Sequence, residues 1–373
     1  MPSLGTNNSR VDLDPVASLV VGRFAAAPCC VVGAAVRTGP GTARHGLGSA
    51  AATASPVRGP DTLFDLASLT KPVTALTVAR LERAGVLDRD EPLAALLPLA
   101  RGTASAQLPL DLLLSHRAGL VAHNPFYEGL VRGERPELEH VLRTAADLRH
   151  PSFVGAPPAH GFPPVYSDLG YLLVGAALEA RTHTALDELM ARECLAPLGL
   201  RLGSMRSLRA LASGVDAEVA PTETVAWRGG LVRGAVHDEN AWLVAGDGAA
   251  GHAGLFGDAA SVVALGLAVL HALGGDDTWL SARELEPLVR ARPGGTHAAG
   301  FDRRGAESPS SGAHFGPNTF GHLGFTGTSL WIDPDRELVG VLLTNRVCPT
   351  REHVAIRQAR PAAYDALFRA MVS

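Results

Sequence analysis

Apolar residues follow two rhythms along this chain. Near each end the period is two. Cys30 to Arg37 and Ala43 to Ala50 read as strands paired across Thr38-Gly39-Pro40-Gly41. Thr328 to Ile332 and Leu338 to Asn345 read as a second hairpin around Asp333-Pro334-Asp335-Arg336-Glu337. Elsewhere the spacing is helical. Asp14 to Arg23 sets Val16, Leu19 and Val20 together. Thr70 to Ala84 sets Val73, Leu76 and Leu81 on one face, with Pro72 in the first turn and Gly85 at the end. Leu110 to Leu114, Pro136 to Ala146, Gly170 to Arg181, Ala185 to Glu193 and Ala259 to Leu273 continue that pattern. Arg292 to Asn318 is polar and rich in Gly, Pro and Ser, which predicts a long loop. Glu352 to Met371 returns to helix, with Pro361 as a kink or restart.

Strands at both ends and helices between them predict an α+β fold. The expected layout is a flexible N-terminus over 1–14, then a single domain over 15–373. Its sheet lobe comes from 15–67 and 320–373, with a helical lobe, 68–319, inserted. A chain of 373 residues easily buries a core.

Composition removes several function classes. The net charge is -4 and no basic stripe is present, so neither nucleic acid nor an anionic membrane is an expected partner. The apolar run Phe24 to Val36 contains Pro28 and is too short to span a bilayer. Cys29 and Cys30 are adjacent, and Cys194 and Cys348 lie far apart, so a reduced, cytoplasmic setting is expected. No Gly-x-Ser-x-Gly elbow, His-Glu-x-x-His helix or Walker loop is present. Oligomeric state is left open.

The 33 basic residues are 32 arginines and one lysine, Lys71, and it follows a serine at Ser68-Leu69-Thr70-Lys71. Arginine does not release its proton in a protein, whereas a lysine can be driven to the neutral amine. A lone lysine three residues after a serine at a helix start therefore suggests a nucleophile and its proton acceptor. Two further segments can complete such a site. Val165-Tyr166-Ser167-Asp168-Leu169-Gly170 is a polar turn entering a helix, and Gly321-His322-Leu323-Gly324-Phe325 leads into the last hairpin. Gly324 lets a substrate backbone approach closely.

In this order the segments resemble the serine β-lactamase and penicillin-binding-protein family. The nearest branch holds class C β-lactamases, related D-Ala-D-Ala carboxypeptidases and family VIII esterases. Phe64-Asp65-Leu66-Ala67-Ser68-Leu69-Thr70-Lys71, Leu113-Leu114-Ser115-His116-Arg117-Ala118-Gly119-Leu120, Trp331-Ile332-Asp333-Pro334 and Leu342-Leu343-Thr344-Asn345-Arg346 add to the likeness.

The resemblance implies that Ser68 is acylated, that Lys71 accepts its proton, and that Tyr166 shuttles protons to the leaving group and activates water. It implies an oxyanion hole from the N–H groups of Ser68 and Phe325. His322, Gly324 and Asp168 would contact substrate. Two positions depart from the family pattern. Asp168 stands where Asn is common, and a carboxylate there raises the lysine pKa; alternatively it caps the helix. His322-Leu323-Gly324 stands where β-lactamases have Lys-Thr-Gly, which loses a hydroxyl and leaves only a partly cationic imidazole. The expectation is a serine hydrolase of esters or small amides that recognises penicillins and D-Ala-D-Ala ends poorly. A D,D-carboxypeptidase or β-lactamase, and an inactive scaffold of the same fold, are the alternatives. His237, Asp238 and Glu239 are consecutive residues that one element scatters around its axis and does not aim, with His252 downstream, at one ion; the resemblance implies that this stretch lies in a loop flanking the cleft, as a pocket wall. No metal or cofactor is expected.

Overall fold

The computed structural model describes residues 9–39, 42–56, 59–307 and 309–373. Pro40 and Gly41 of the first expected turn lie outside them. A seven-stranded sheet is built from β1 (Ser9–Asp12), β2 (Cys29–Gly39), β3 (Thr42–Ala51), β4 (Asp302–Arg303), β5 (Phe320–Leu323), β6 (Ser329–Asp333) and β7 (Leu338–Thr344). The spatial order is β1-β3-β2-β7-β6-β5-β4, with only β1 and β3 parallel. At its centre β2 pairs with β7, Cys30 opposite Thr344 and Val36 opposite Leu338, so the two ends of the chain close one sheet.

Five helices support the site: α1 (Asp14–Ser18), α2 (Thr70–Arg83), α3 (Asp168–Thr182), α4 (Ala259–Leu273) and α5 (Ile356–Val372). The period of two assigns the faces of the sheet. Cys30, Val32, Ala34 and Val36 join the core that includes Val16 of α1 and Tyr364 and Leu367 of α5. Cys29, Val31 and Ala35 join the larger core, with Val262 and Val263 of α4 and Val73 and Leu76 of α2. All four cysteines are unpaired.

The structure corrects the expected layout in three places. Ser9–Asp12, assigned to a flexible N-terminus, runs as a strand beside β3. The division of lobes at residue 319 fails, because α4 packs on β2, β6 and β7, and β4, inside the expected long loop, pairs with Phe320 and Gly321. A strand of two residues has too few positions to show a period. Helix α5 is continuous from Ile356 to Val372 and contains Pro361 without a restart.

A short three-stranded sheet of Phe64–Asp65, Leu255–Gly257 and Leu202–Ser204 steers the chain into α2. Beside it, Gly251 lies between α2 and α3. A Cβ there would stand 1.9 Å from the Tyr171 carbonyl oxygen. The Gly251 carbonyl accepts a hydrogen bond from Thr74 at 2.6 Å. Gly251→Ala should therefore cost about 1–3 kcal/mol through backbone displacement. Denaturant unfolding measures this, and a wild-type midpoint would show that the loop shifts freely.

Candidate active site

Ser68 sits in a tight turn, Ala67–Leu69, immediately before α2, and Lys71 is the second residue of the helix. Ala67 holds a left-handed backbone at φ 48°, a conformation costly for a residue with a side chain. Buried Asp65 fixes this turn: its carboxylate accepts from the Ala67 N–H at 2.8 Å and from the His237 N–H at 2.7 Å. Thr326 donates to the Asp65 carbonyl and Thr328 to the Leu66 carbonyl, which clamps the end of β5 against the nucleophile segment.

The polar turn at Tyr166 is held just as closely. Ser167 caps α3, accepting from the Gly170 N–H, while its own N–H donates to His116 Nδ1 at 3.0 Å. The His116 ring packs against Tyr166, with centroids 4.6 Å apart. The cap is thus Ser167, and Asp168, the first residue of the helix, is free to turn its carboxylate elsewhere.

These elements bring Ser68, Lys71, Tyr166 and Asp168 together. Tyr166 donates to Ser68 Oγ at 3.0 Å. Lys71 Nζ donates to Ser68 Oγ at 2.9 Å, to Asp168 Oδ1 at 2.7 Å and to the His252 carbonyl at 3.4 Å. An ammonium has three donors, and each has an acceptor. The Lys71 side chain is fully buried, and Nζ also lies 4.8 Å from the Tyr166 ring centroid, an arrangement that favours a cation. Burial alone would strip its proton, but Asp168 and Tyr166 outweigh burial and hold Lys71 above its ordinary value. Burial likewise pushes the Tyr166 phenol up, with Lys71 opposing in part. The resting pair is therefore a lysine cation and a neutral phenol.

The set opens onto a cavity of about 540 Å³. His322, Leu323, Gly324 and Phe325 line it, whereas Thr326 and Gly327 turn inward. The N–H groups of Ser68 and Phe325 meet no acceptor among the described residues, as an oxyanion hole requires. At Gly324 a Cβ would stand 1.9 Å from Thr328 Oγ1 and 2.7 Å from the Leu66 carbonyl oxygen, so the approach is open only to glycine.

His322 departs from expectation. It is buried, burial pushes its pKa down to about 4, and Asp302 opposes this only in part. Its Nδ1 lies 2.8 Å from the Leu323 carbonyl, an acceptor only, so Nδ1 carries the proton of a neutral ring. At neutral pH His322 supplies no charge, in contrast to the partial cation the sequence suggests.

His237, Asp238 and Glu239 line the cavity, whereas His252 does not. His237 pairs with Glu223, His252 with Asp238 at 3.0 Å, and Glu239 with Arg351. Asp238 also caps the helix Glu239–Ala245. Sequence reasoning missed several residues of the cavity: Asp302, which pairs with His297, and Arg346, Arg351, Arg357 and Arg360.

Fold and site together define a hydrolase of the β-lactamase type. Residues 25–364 match the family model described as Beta-lactamase, and the chain belongs to that family. It is 31% identical over 315 residues to an N-acetylmuramyl-L-alanine amidase of Bacillus subtilis (strain 168), spanning 76% of this chain and 68% of that protein. It is 28% identical over 316 residues to a putative D-alanyl-D-alanine carboxypeptidase of Escherichia coli (strain K12), spanning 76% and 69%. Among solved structures, EstCE1, a hydrolase with promiscuous acyltransferase activity, superposes with TM-score 0.66 at 20% identity, covering 94% of this chain and 97% of that one. A class C β-lactamase from Rhodobacter sphaeroides does so with TM-score 0.65 at 17% identity, covering 97% and 99%. At these identities the structural likeness speaks for the fold. No helix among the described residues is long and apolar enough to cross a membrane.

Proposed function

We propose that the protein is a serine hydrolase that works through an acyl-enzyme on esters or small amides. The observation that carries this reading is the Ser68 hydroxyl, held at once by Lys71 Nζ and Tyr166 OH at the cavity floor. Lys71 first releases its extra proton to solvent; Ser68 Oγ then attacks the carbonyl carbon while its proton passes to the neutral Lys71 amine. The oxyanion forms against the N–H groups of Ser68 and Phe325. The bond to the leaving group breaks as Tyr166 delivers a proton to it. Tyr166, now a phenolate, takes a proton from water as that water attacks the acyl carbon; the Ser68 Oγ–acyl bond breaks and Lys71 returns its proton to Ser68.

The preference for esters rests on the edge of β5. His322 is neutral and Leu323 carries no hydroxyl, so this edge offers little to a carboxylate fixed beside the scissile bond. The names of the amidase and carboxypeptidase relatives favour a second reading, an amidohydrolase acting on cell-wall-like peptides. Four unpaired cysteines support a cytoplasmic setting.

A fluorophosphonate probe read by mass spectrometry tests the proposal. The expected result is one adduct on Ser68, absent in Ser68→Ala, together with turnover of p-nitrophenyl acetate. Lack of labelling in the wild type, or equal labelling of both proteins, leaves the inactive-scaffold alternative standing. Nitrocefin turnover matching that of the ester would remove the ester preference.

A further inference from the structure

The charges around the cavity do not balance locally. Each of four lining carboxylates has a partner: Asp168 with Lys71, Asp238 with His252, Glu239 with Arg351, and Asp302 with His297. Arg351 apart, the lining arginines are not matched in the same way. Arg346 is spent on the carbonyls of Phe325, Arg351 and His353. Arg357 and Arg360 form no ion pair among the described residues.

Arg360 is the more telling of these two. It is only 7% exposed, its Nε is buried without a hydrogen-bond partner, and its one contact is a long 3.4 Å bond from Nη2 to the Thr328 carbonyl. Burial lowers its pKa to about 10, and among the described residues no carboxylate compensates. A guanidinium placed this way costs stability unless an anion arrives to meet it. Arg357 lies one turn earlier on the same face of α5, and Val354 and Ile356 at the entry to that helix also line the cavity. The positive end of the helix dipole adds to the same field. The Thr328 carbonyl that Arg360 touches also accepts from the Gly324 N–H at 2.7 Å, which places Arg360 behind the edge of β5 that lines the cavity.

We propose that Arg360, assisted by Arg357, is a binding subsite for a carboxylate carried on a flexible arm of the substrate. The proposal rests on the serine-hydrolase reading and names its substrate class: acyclic esters with a free carboxylate remote from the scissile bond. A planar guanidinium takes a carboxylate through paired hydrogen bonds, which the neutral His322 does not offer. Such an anion is held by α5 and not by the edge of β5, so it must sit on an arm able to bend behind the strand.

Matched ester pairs test this. With the anion on the leaving group, the pair is 4-acetoxybutanoate and its methyl ester. With the anion on the acyl group, it is mono-p-nitrophenyl glutarate and its methyl ester. For at least one pair the wild type should prefer the carboxylate, and Arg360→Met should lower that kcat/KM ratio about 10- to 100-fold, mainly through KM. Arg360→Lys should restore part of it. The Met variant should keep or raise the melting temperature, since it removes an unmatched buried charge. A ratio unchanged in Arg360→Met for both pairs, or a fall in melting temperature with no change of ratio, assigns Arg360 a structural role and overturns the proposal. Calorimetric titration of Ser68→Ala with 4-hydroxybutanoate and with glutarate separates the two readings. Binding that is lost on adding Arg360→Met supports the subsite even if no ester is turned over.

Discussion

Lys71→Arg is expected to lower kcat/KM for p-nitrophenyl acetate by about a thousandfold, within the range a general acid–base group contributes. The substitution keeps the positive charge beside Asp168 and the donor toward Ser68. What it removes is the ability to lose a proton. Ser68 Oγ accepts hydrogen bonds from both Lys71 and Tyr166, so in this protonation state neither neighbour can take the serine proton. One of them must first give up its own, and arginine does not. Because Lys71 is fully buried, a larger head group also strains the site. Thermal unfolding of the variant, run beside the assay, separates misfolding from lost chemistry. A folded Lys71→Arg enzyme with wild-type turnover would show that position 71 serves only as a cation, and Tyr166 would then be the base.

Asp168→Asn is expected to act in the opposite direction. In the wild type the Asp168 carboxylate, 2.7 Å from Nζ, overcomes burial and raises the lysine pKa. With the unprotonated amine as the proposed base, a raised pKa sets the acidic limb of the pH–rate profile on the alkaline side. Asparagine keeps the shape and removes the charge. Burial then dominates, the pKa falls, and the fraction of free amine at a given pH grows. The limb in kcat/KM should move to lower pH by at least about one unit, with roughly tenfold more activity at pH 7. A limb that does not move would exclude Lys71 as the titrating base. A loss of activity at every pH would make Asp168 the group that relays the lysine proton.

Much of this site was legible before any coordinates. Ser68, Lys71 and Tyr166 stand at helix entries, and capping residues, proline and apolar spacing mark those entries locally. The hairpin of β6 and β7 fixed the register of His322 and Gly324 in the same way. The β-strand period also placed Cys30 and Val32 on the face opposite Cys29 and Val31. Other features needed tertiary burial to become visible. Arg357 and Arg360 lie in a helix that contains several arginines, and only packing shows that Arg360 is buried while Arg357 stays exposed. Asp302 lies in a stretch whose composition reads as loop, yet it reaches the cavity through a strand of two residues. The charge state of His322 depends on burial at the cleft, and no local pattern encodes it.

On the ribosome, Cys30 emerges long before Thr344, its partner across the β2–β7 ladder. Until then β2 and β3 form a ribbon with an open edge and apolar side chains on both faces, a surface prone to unwanted pairing. Ser68 and Lys71 are also made well before Phe325 and α5. The nascent serine thus waits beside its lysine without the donors that would stabilise an attack. Docking of the β6–β7 hairpin and α5 supplies both the partner strand for β2 and the far side of the cavity.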